Sequence, residues 1–217
     1  MTRPVLTISS KNYSSWSLRG WLLCKLAGLE VEEQVVSIDD PTNRAELLLL
    51  APSVLVPRLN HDGASVWDTL AIAEYLAELF PKKGMLPKDR LARAHCRSIS
   101  GEIHSGFHNM RSALPMNLKA HHKNFKIFAG AQPDINRIQA IWAECIERYG
   151  GPFLFGTPTI ADAMFAPVCT RFLTYNVPIT AVSKAYCDTI MEWPPMKEWV
   201  EAALKEPEEM EELDVEF

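Results

Sequence analysis

No two of the five cysteines, at positions 24, 96, 145, 169 and 187, stand in a CxxC or zinc-type spacing, so the chain carries neither a paired redox motif nor a structural zinc site of that kind. Odd in number and widely spread, they read as small core residues of a protein in a reducing compartment. No stretch reaches the ~20 apolar residues of a membrane span. No Lys/Arg-rich cluster appears beyond Lys82-Lys83 and the loose region from Lys119 to Lys126, which includes His121 and His122. With a net charge of −5, this argues against a nucleic-acid surface. Internal repeats are missing, as are low-complexity tracts apart from the acidic end, Glu206 to Phe217, which is expected to be packed or tethered. Met1-Thr2-Arg3-Pro4 leads into a strand rather than a signal-peptide core, so the expected location is the cytoplasm, with no membrane partner.

What is present starts with Asn12-Tyr13-Ser14-Ser15-Trp16-Ser17-Leu18-Arg19. Before it Val5, Leu6 and Ile8 form a β-prone run; after it Leu18, Trp21, Leu22, Lys25 and Leu26 recur at helical spacing until Gly28 supplies a stop. Three serines therefore crowd the first turn of a helix. Its unsatisfied N–H groups and partial positive charge make hydroxyls there either caps or partners in holding an anion.

The 217 residues, 47% of them hydrophobic, allow one large core or two small ones. Val31 to Ile38 alternates like a half-buried strand. Asp39 to Thr42 is turn chemistry, and Ala45 to Leu50 is a short helix ended before Pro52. Pro57 marks an edge, a strand start or a cis bond. His61 to Ser65 is a hairpin turn into Val66-Trp67. Asp68-Thr69 opens a helix whose apolar face is Leu70, Ile72, Ala73, Leu76, Leu79 and Phe80, closed by Pro81.

Pro81 to Lys88 is the best boundary, and beyond it the pattern is helical throughout. Leu91, Ile99, Ile103, Phe107 and Met110 form one stripe, and Ile135, Ile138, Trp142, Cys145 or Ile146, and Tyr149 another. Thr159 to Asp162 is a capping box opening a helix apolar on nearly every side, with Pro167 predicting a kink. Helices over about 182–192 and 195–205 follow, with Trp193, Met196 and Trp199 as core. The expectation is a mixed-sheet domain over 1–81, ordered β-α-β-α-β-β-α, a linker over 82–88 and an all-α bundle over 89–217.

This order, with Val56-Pro57 before a strand, Asp68-Thr69 at a helix start and Thr159-Ile160-Ala161-Asp162 in a helical second domain, resembles the cytosolic glutathione transferase family over essentially the whole chain. Ser14-Ser15-Trp16-Ser17-Leu18-Arg19 resembles the serine-type members, the zeta-like group in particular, whose run is Ser-Ser-Cys-Ser-x-Arg; Trp16 stands where that group has cysteine. The resemblance implies an α+β thioredoxin-like first domain and a cis Val56–Pro57 bond. It also implies a Val56 backbone that pairs with the cysteinyl part of glutathione like an added strand. Asp68 would hold the γ-glutamyl amine and Thr69 its carboxylate. Arg44 is a candidate for the glycyl end, or an exposed helix-surface residue.

The implied chemistry is thiol activation, with glutathione as co-substrate. A thiol of pKa ~8.5 is only a few per cent thiolate at neutral pH, and lowering it by ~2 units takes ~2.7 kcal/mol of preference for the anion. A hydroxyl donating to sulfur supplies ~1.5–3 kcal/mol and the helix terminus ~0.3–1 more, so no strong base is needed. Ser14 is ranked first for this role, then Ser15, then Ser17.

The acceptor belongs against the first helix of the bundle, where Trp16, Phe107 and Met116 supply apolar walls and Arg111 an attraction for a carboxylated acceptor. His104 and His108, four apart, are candidates for facing one cleft; as a metal pair they lack a third ligand. The expected activity is conjugation, isomerisation or reduction of small electrophiles. Alternatives are zeta-like isomerisation and a non-catalytic adaptor of the same fold. A thiol reductase is disfavoured because Cys24 lies about two turns into the helix. The family implies a homodimer.

Overall fold

The computed structural model describes residues 3–36 and 55–207. Arg44, the helix expected over 45–50, the turn over 39–42, and residues 208–217 lie outside the described residues.

Four short strands form one sheet. β1 (Val5–Ile8) pairs in parallel with β2 (Glu32–Val35) and antiparallel with β3 (Arg58–His61), which pairs antiparallel with β4 (Ala64–Trp67), giving the order β2-β1-β3-β4. A parallel pair needs a crossover, and α1 (Ser15–Ala27) supplies it. Gly28 ends α1 at φ 68°, its N–H reaching the carbonyls of Cys24 and Lys25, the left-handed cap that glycine adopts without penalty. Asp62 and Gly63, both at positive φ, make the β3–β4 turn. β2 is shorter than the expected strand and exposed at all four residues, as an edge strand can be. α2 (Thr69–Leu79) lies against α1. This is the mixed sheet that the sequence pattern predicted and the thioredoxin-like α+β arrangement that the resemblance implied.

Beyond the sheet domain the described α-helices are α3 (Arg90–Ser105), α4 (His108–Ala113), α5 (Gln132–Tyr149), α6 (Ile160–Thr174), α7 (Ala181–Glu192) and α8 (Pro194–Leu204). α6 is the axle of this bundle. All but Leu173 of its residues are buried, and it touches α1, α3 and α7, which is why its sequence is apolar on nearly every side. Thr159 and Asp162 form the capping box. The helix runs unbroken through Pro167, and all five cysteines are free and buried.

The stripe from Leu91 to Met110 departs from expectation. Leu91 is exposed, and Phe107 takes φ 62°, breaking one predicted face into α3 and α4 at Gly106. Gly106 is locked there, since an added Cβ would stand 2.8 Å from the Glu102 carbonyl oxygen.

Candidate functional site

Ser14 is the N-cap of α1. Its Oγ accepts from the Ser17 N–H at 3.2 Å and lies 2.8 Å from the Ser17 Oγ. Ser17, fully buried, accepts in turn from the Ser9 N–H at 3.0 Å, joining the end of β1 to the helix start. Ser15 is buried and accepts from the Arg171 Nη2 at 3.2 Å. Of the three serines only Ser14 keeps partial exposure.

Beside this turn lies a cavity of about 320 Å³ lined by Trp16, Leu55, Val56, Pro57, Asp68, Thr69, His104, Ser105 and His108. The structure thus brings together seven residues singled out from sequence, from opposite ends of the first domain and from the bundle. The Val56–Pro57 bond is cis. Pro57 packs so closely on α1 that a Cβ on Gly20 would stand 2.6 Å from its ring carbons, so Gly20 permits the contact that sets α1 against this wall.

Asp68 caps α2 at φ 76°, ψ 135°, backbone that costs a non-glycine residue about 1–3 kcal/mol and concentrates at functional sites. One carboxylate oxygen accepts from the Leu70 and Ala71 N–H groups at 2.8 and 3.2 Å. The other lies 3.1 Å from the Nε2 of His104. His104 Nδ1 is 3.3 Å from the Thr69 hydroxyl, and its ring meets Trp16 edge-on at 5.3 Å. His104 and His108 do line one cavity, but from two helices, on either side of the break at Gly106.

Phe107 and Met116 are buried in the core and do not line the cavity. Arg111 stands behind it, its guanidinium 4.9 Å from the Trp16 ring centre, with Arg19 at 4.7 Å from the same ring. Arg19 spans the two domains by donating to the Met164 carbonyl at 2.8 Å, not to an acid, and its buried Nη1 has no partner. Arg111 donates to the carbonyls of Ile103, His104 and Gly106, and Arg171 to those of Arg111 and Leu114.

Among the described residues no carboxylate pairs with any of the three. Burial first, then mutual repulsion, holds the Arg19 pKa well below its ordinary value and brings that of Arg171 down to about 10; burial alone lowers Arg111. The result is a dense, uncompensated positive region behind Trp16. Arg171 was missed from sequence, although an arginine inside an otherwise apolar helix is itself a signal.

The loop before α1 is gripped from the bundle. Asn12, fully buried, accepts from the Leu118 and Lys119 N–H groups and donates to Asn117. The Trp199 indole donates to the Lys11 carbonyl at 3.0 Å. The Glu206 carboxylate accepts from the Ser10 hydroxyl and the Lys11 and Asn12 N–H groups at 2.7, 2.9 and 3.0 Å. The start of the acidic end is therefore tethered, as expected. Among the described residues no group of three or more His, Cys, Asp or Glu side chains is placed to hold a metal ion, and no helix is long and apolar enough to cross a membrane.

A thioredoxin-like sheet with a helical bundle docked on it, and between them a cavity that Trp16 of α1 shares with the cis Val56–Pro57 segment, define a glutathione transferase. Residues 13–79 match the family model for the glutathione S-transferase N-terminal domain, and residues 128–202 that for its C-terminal domain; the chain belongs to this family of glutathione-dependent enzymes. It is 32% identical over 182 residues to a probable maleylacetoacetate isomerase of Caenorhabditis elegans, covering 82% of this chain and 83% of that one. A maleylacetoacetate isomerase of Rattus norvegicus is 32% identical over 113 residues, 51% of each chain. Among solved structures, a bacterial maleyl pyruvate isomerase of the zeta class superposes with a TM-score of 0.71 at 21% identity, covering 95% of this chain and all of that one. A glutathione transferase homolog from Burkholderia, with bound glutathione, gives 0.69 at 24%, covering 94% and 99%.

Proposed function

We propose that the cavity between the segment 55–57, α1, the start of α2, the end of α3 and the start of α4 is the glutathione site, with Val56 holding the cysteinyl backbone, Asp68 the γ-glutamyl amine and Thr69 its carboxylate. The observation that carries this is the meeting of Val56-Pro57, Asp68 and Thr69 around one cavity beside the start of α1.

The thiolate is held by Ser14. Hydroxyl hydrogens turn freely, and the 2.8 Å contact between Ser14 and Ser17 serves in either direction. When the Ser17 hydroxyl donates to the Ser14 Oγ, the Ser14 proton is released to point at the sulfur, backed by a chain from Ser9 N–H through Ser17 to Ser14. Such chains polarise one another and strengthen the terminal donor. The α1 N-terminus and the three arginines add positive potential of the sign a thiolate requires. Serine here stabilises an anion and does not attack the acceptor; glutathione sulfur is the nucleophile.

The acceptor lies on the Trp16 and His108 side of the cavity. The arginines that no carboxylate among the described residues neutralises favour an acceptor bearing carboxylates, and this supports a second reading: glutathione-dependent isomerisation of a maleyl compound, the substrate type in the relatives' names. The domains run over 1–81 and 89–217, with a linker over 82–88. A homodimer is consistent with the exposed Trp67, Leu79 and Leu91 on the neighbouring β4, α2 and α3. The test is calorimetric titration with glutathione, followed by conjugation of a chloronitroaromatic electrophile and isomerisation of a maleyl compound. No glutathione binding at millimolar concentration rejects the site. Binding without turnover of either substrate supports an adaptor instead.

A further inference from the structure

Asp68 has one carboxylate oxygen committed to its own helix and one directed at the cavity, and His104 is on the second. Oδ1 accepts from Leu70 and Ala71; Oδ2 is 3.1 Å from His104 Nε2. The other ring nitrogen faces the Thr69 hydroxyl at 3.3 Å. A single neutral tautomer satisfies both contacts: Nε2–H donates to Asp68 while Nδ1 accepts from Thr69. His104 comes from the last turn of α3, in the bundle, whereas Asp68 and Thr69 open α2, in the sheet domain. The imidazole therefore engages, from across the domain boundary, the same two groups that a γ-glutamyl end needs.

We infer that His104 is an internal competitor for the amine-binding oxygen of Asp68, and so the residue that sets how strongly the site discriminates in favour of a γ-glutamyl amine; this rests on the glutathione assignment above. A ligand ammonium gains the Asp68 carboxylate only by displacing the imidazole, so the gain is a difference between two charge-assisted contacts rather than one whole contact. His104 has two side-chain dihedrals, so its release is a rotamer change. A ligand lacking the amine leaves the His104–Asp68 contact in place and forfeits nothing there.

The experiment is a cycle between one side chain and one ligand group. Calorimetry measures the dissociation constants of glutathione and of its desamino analogue, glutaryl-cysteinyl-glycine, for the wild type and for His104→Phe, which keeps an aromatic ring against Trp16. In His104→Phe, glutathione is expected to bind about threefold more tightly, the scale of a partly exposed ion contact. The analogue keeps the carboxylate, which competes with His104 for Thr69 alone, and is expected to gain less, so the preference for the amine widens. An unchanged or narrower preference, or weaker binding of glutathione to the variant, overturns the inference and makes His104 an ordinary contact. His104→Ala repeats the cycle if the Phe variant does not fold. Asp68→Asn separates the two levels. Glutathione binding unaffected by it rejects the glutathione assignment and this inference together, whereas loss of binding there with weaker binding in His104→Phe rejects the competitor role alone.

Discussion

The Arg171 guanidinium donates to the Ser15 hydroxyl at 3.2 Å, joining the last turn of the bundle's central helix to the first turn of α1 across 156 residues. Ser15 is buried and already engaged by a cation. Ser15→Ala strips a partner from a buried guanidinium, which costs about 1–3 kcal/mol. Its expected signature is a lower urea midpoint with the pKa of enzyme-bound glutathione nearly unmoved. A bound-thiol pKa raised as far as in Ser14→Ala would transfer the anion-holding role to Ser15.

Ser14→Ala removes the proposed donor to sulfur. The bound thiol pKa is expected to rise by about 1–2 units, the equivalent of a charge-assisted hydrogen bond, and kcat at neutral pH to fall about tenfold or more. Ser17→Ala is the sharper test, because Ser17 is fully buried and touches no ligand. If the Ser9–Ser17–Ser14 chain polarises the donor, Ser17→Ala raises the thiol pKa by a fraction of that amount. Ultraviolet absorbance of bound thiolate against pH reads both; an effect of Ser17→Ala on stability alone would remove Ser17 from the chemistry.

Asp162 gives a pH dependence of stability. Burial pushes its carboxyl from 3.8 to about 6, against the opposing pull of hydrogen bonds from Leu154, Thr159 and Tyr186. Its folded pKa lies above the unfolded one, so between about pH 4 and 6 the folded state binds more protons, and stability falls as pH rises through that window. A shift of about 2 units corresponds to roughly 3 kcal/mol. Asp162→Asn cannot ionise and lacks this slope, although it also loses acceptors for Thr159. In urea unfolding at pH 4, 5, 6 and 7, the stability of the wild type relative to Asp162→Asn is expected to decline by that amount; a constant difference contradicts the raised pKa.

Elements defined by local chemistry were legible in the chain. Ser14 caps and Gly28 stops α1, Asp62-Gly63 turns the hairpin, and Thr159 with Asp162 starts α6, because each needs only residues a few positions apart. The apolar stripe through Phe107 and Met110 misled, since periodicity continues across Gly106 while the backbone turns at Phe107. The cavity wall of Val56, Pro57, Asp68 and Thr69 was reached through resemblance, which supplied the docking that periodicity lacks. Arg19, Arg171 and His104 were illegible in their final roles. Their partners are Met164, Ser15 and Asp68, at separations of 145, 156 and 36 residues, and only the packing of the bundle on the sheet brings them together.

Glu206 is the last of these distant partners, and its role is open to measurement. Its carboxylate accepts three hydrogen bonds from Ser10, Lys11 and Asn12. Ser10 Oγ in turn accepts from the Asn12 and Tyr13 N–H groups, and the Ser10 carbonyl accepts from the Ser14 N–H at 3.0 Å. Two links thus connect the carboxylate to the proposed thiolate-holding serine. Glu206→Gln keeps the shape but accepts with one oxygen and no charge, and Glu206→Ala leaves two backbone N–H groups to water. Stability is expected to fall by about 1–2 kcal/mol in the alanine variant and less in the glutamine variant. If the strap also positions Ser14, the bound-thiol pKa rises in the same order while glutathione affinity, set at Val56, Asp68 and Thr69 on the far wall, stays within about twofold. A loss of affinity equal to the loss of kcat would show instead that the loop supports the whole cavity and that Ser14 is not singled out.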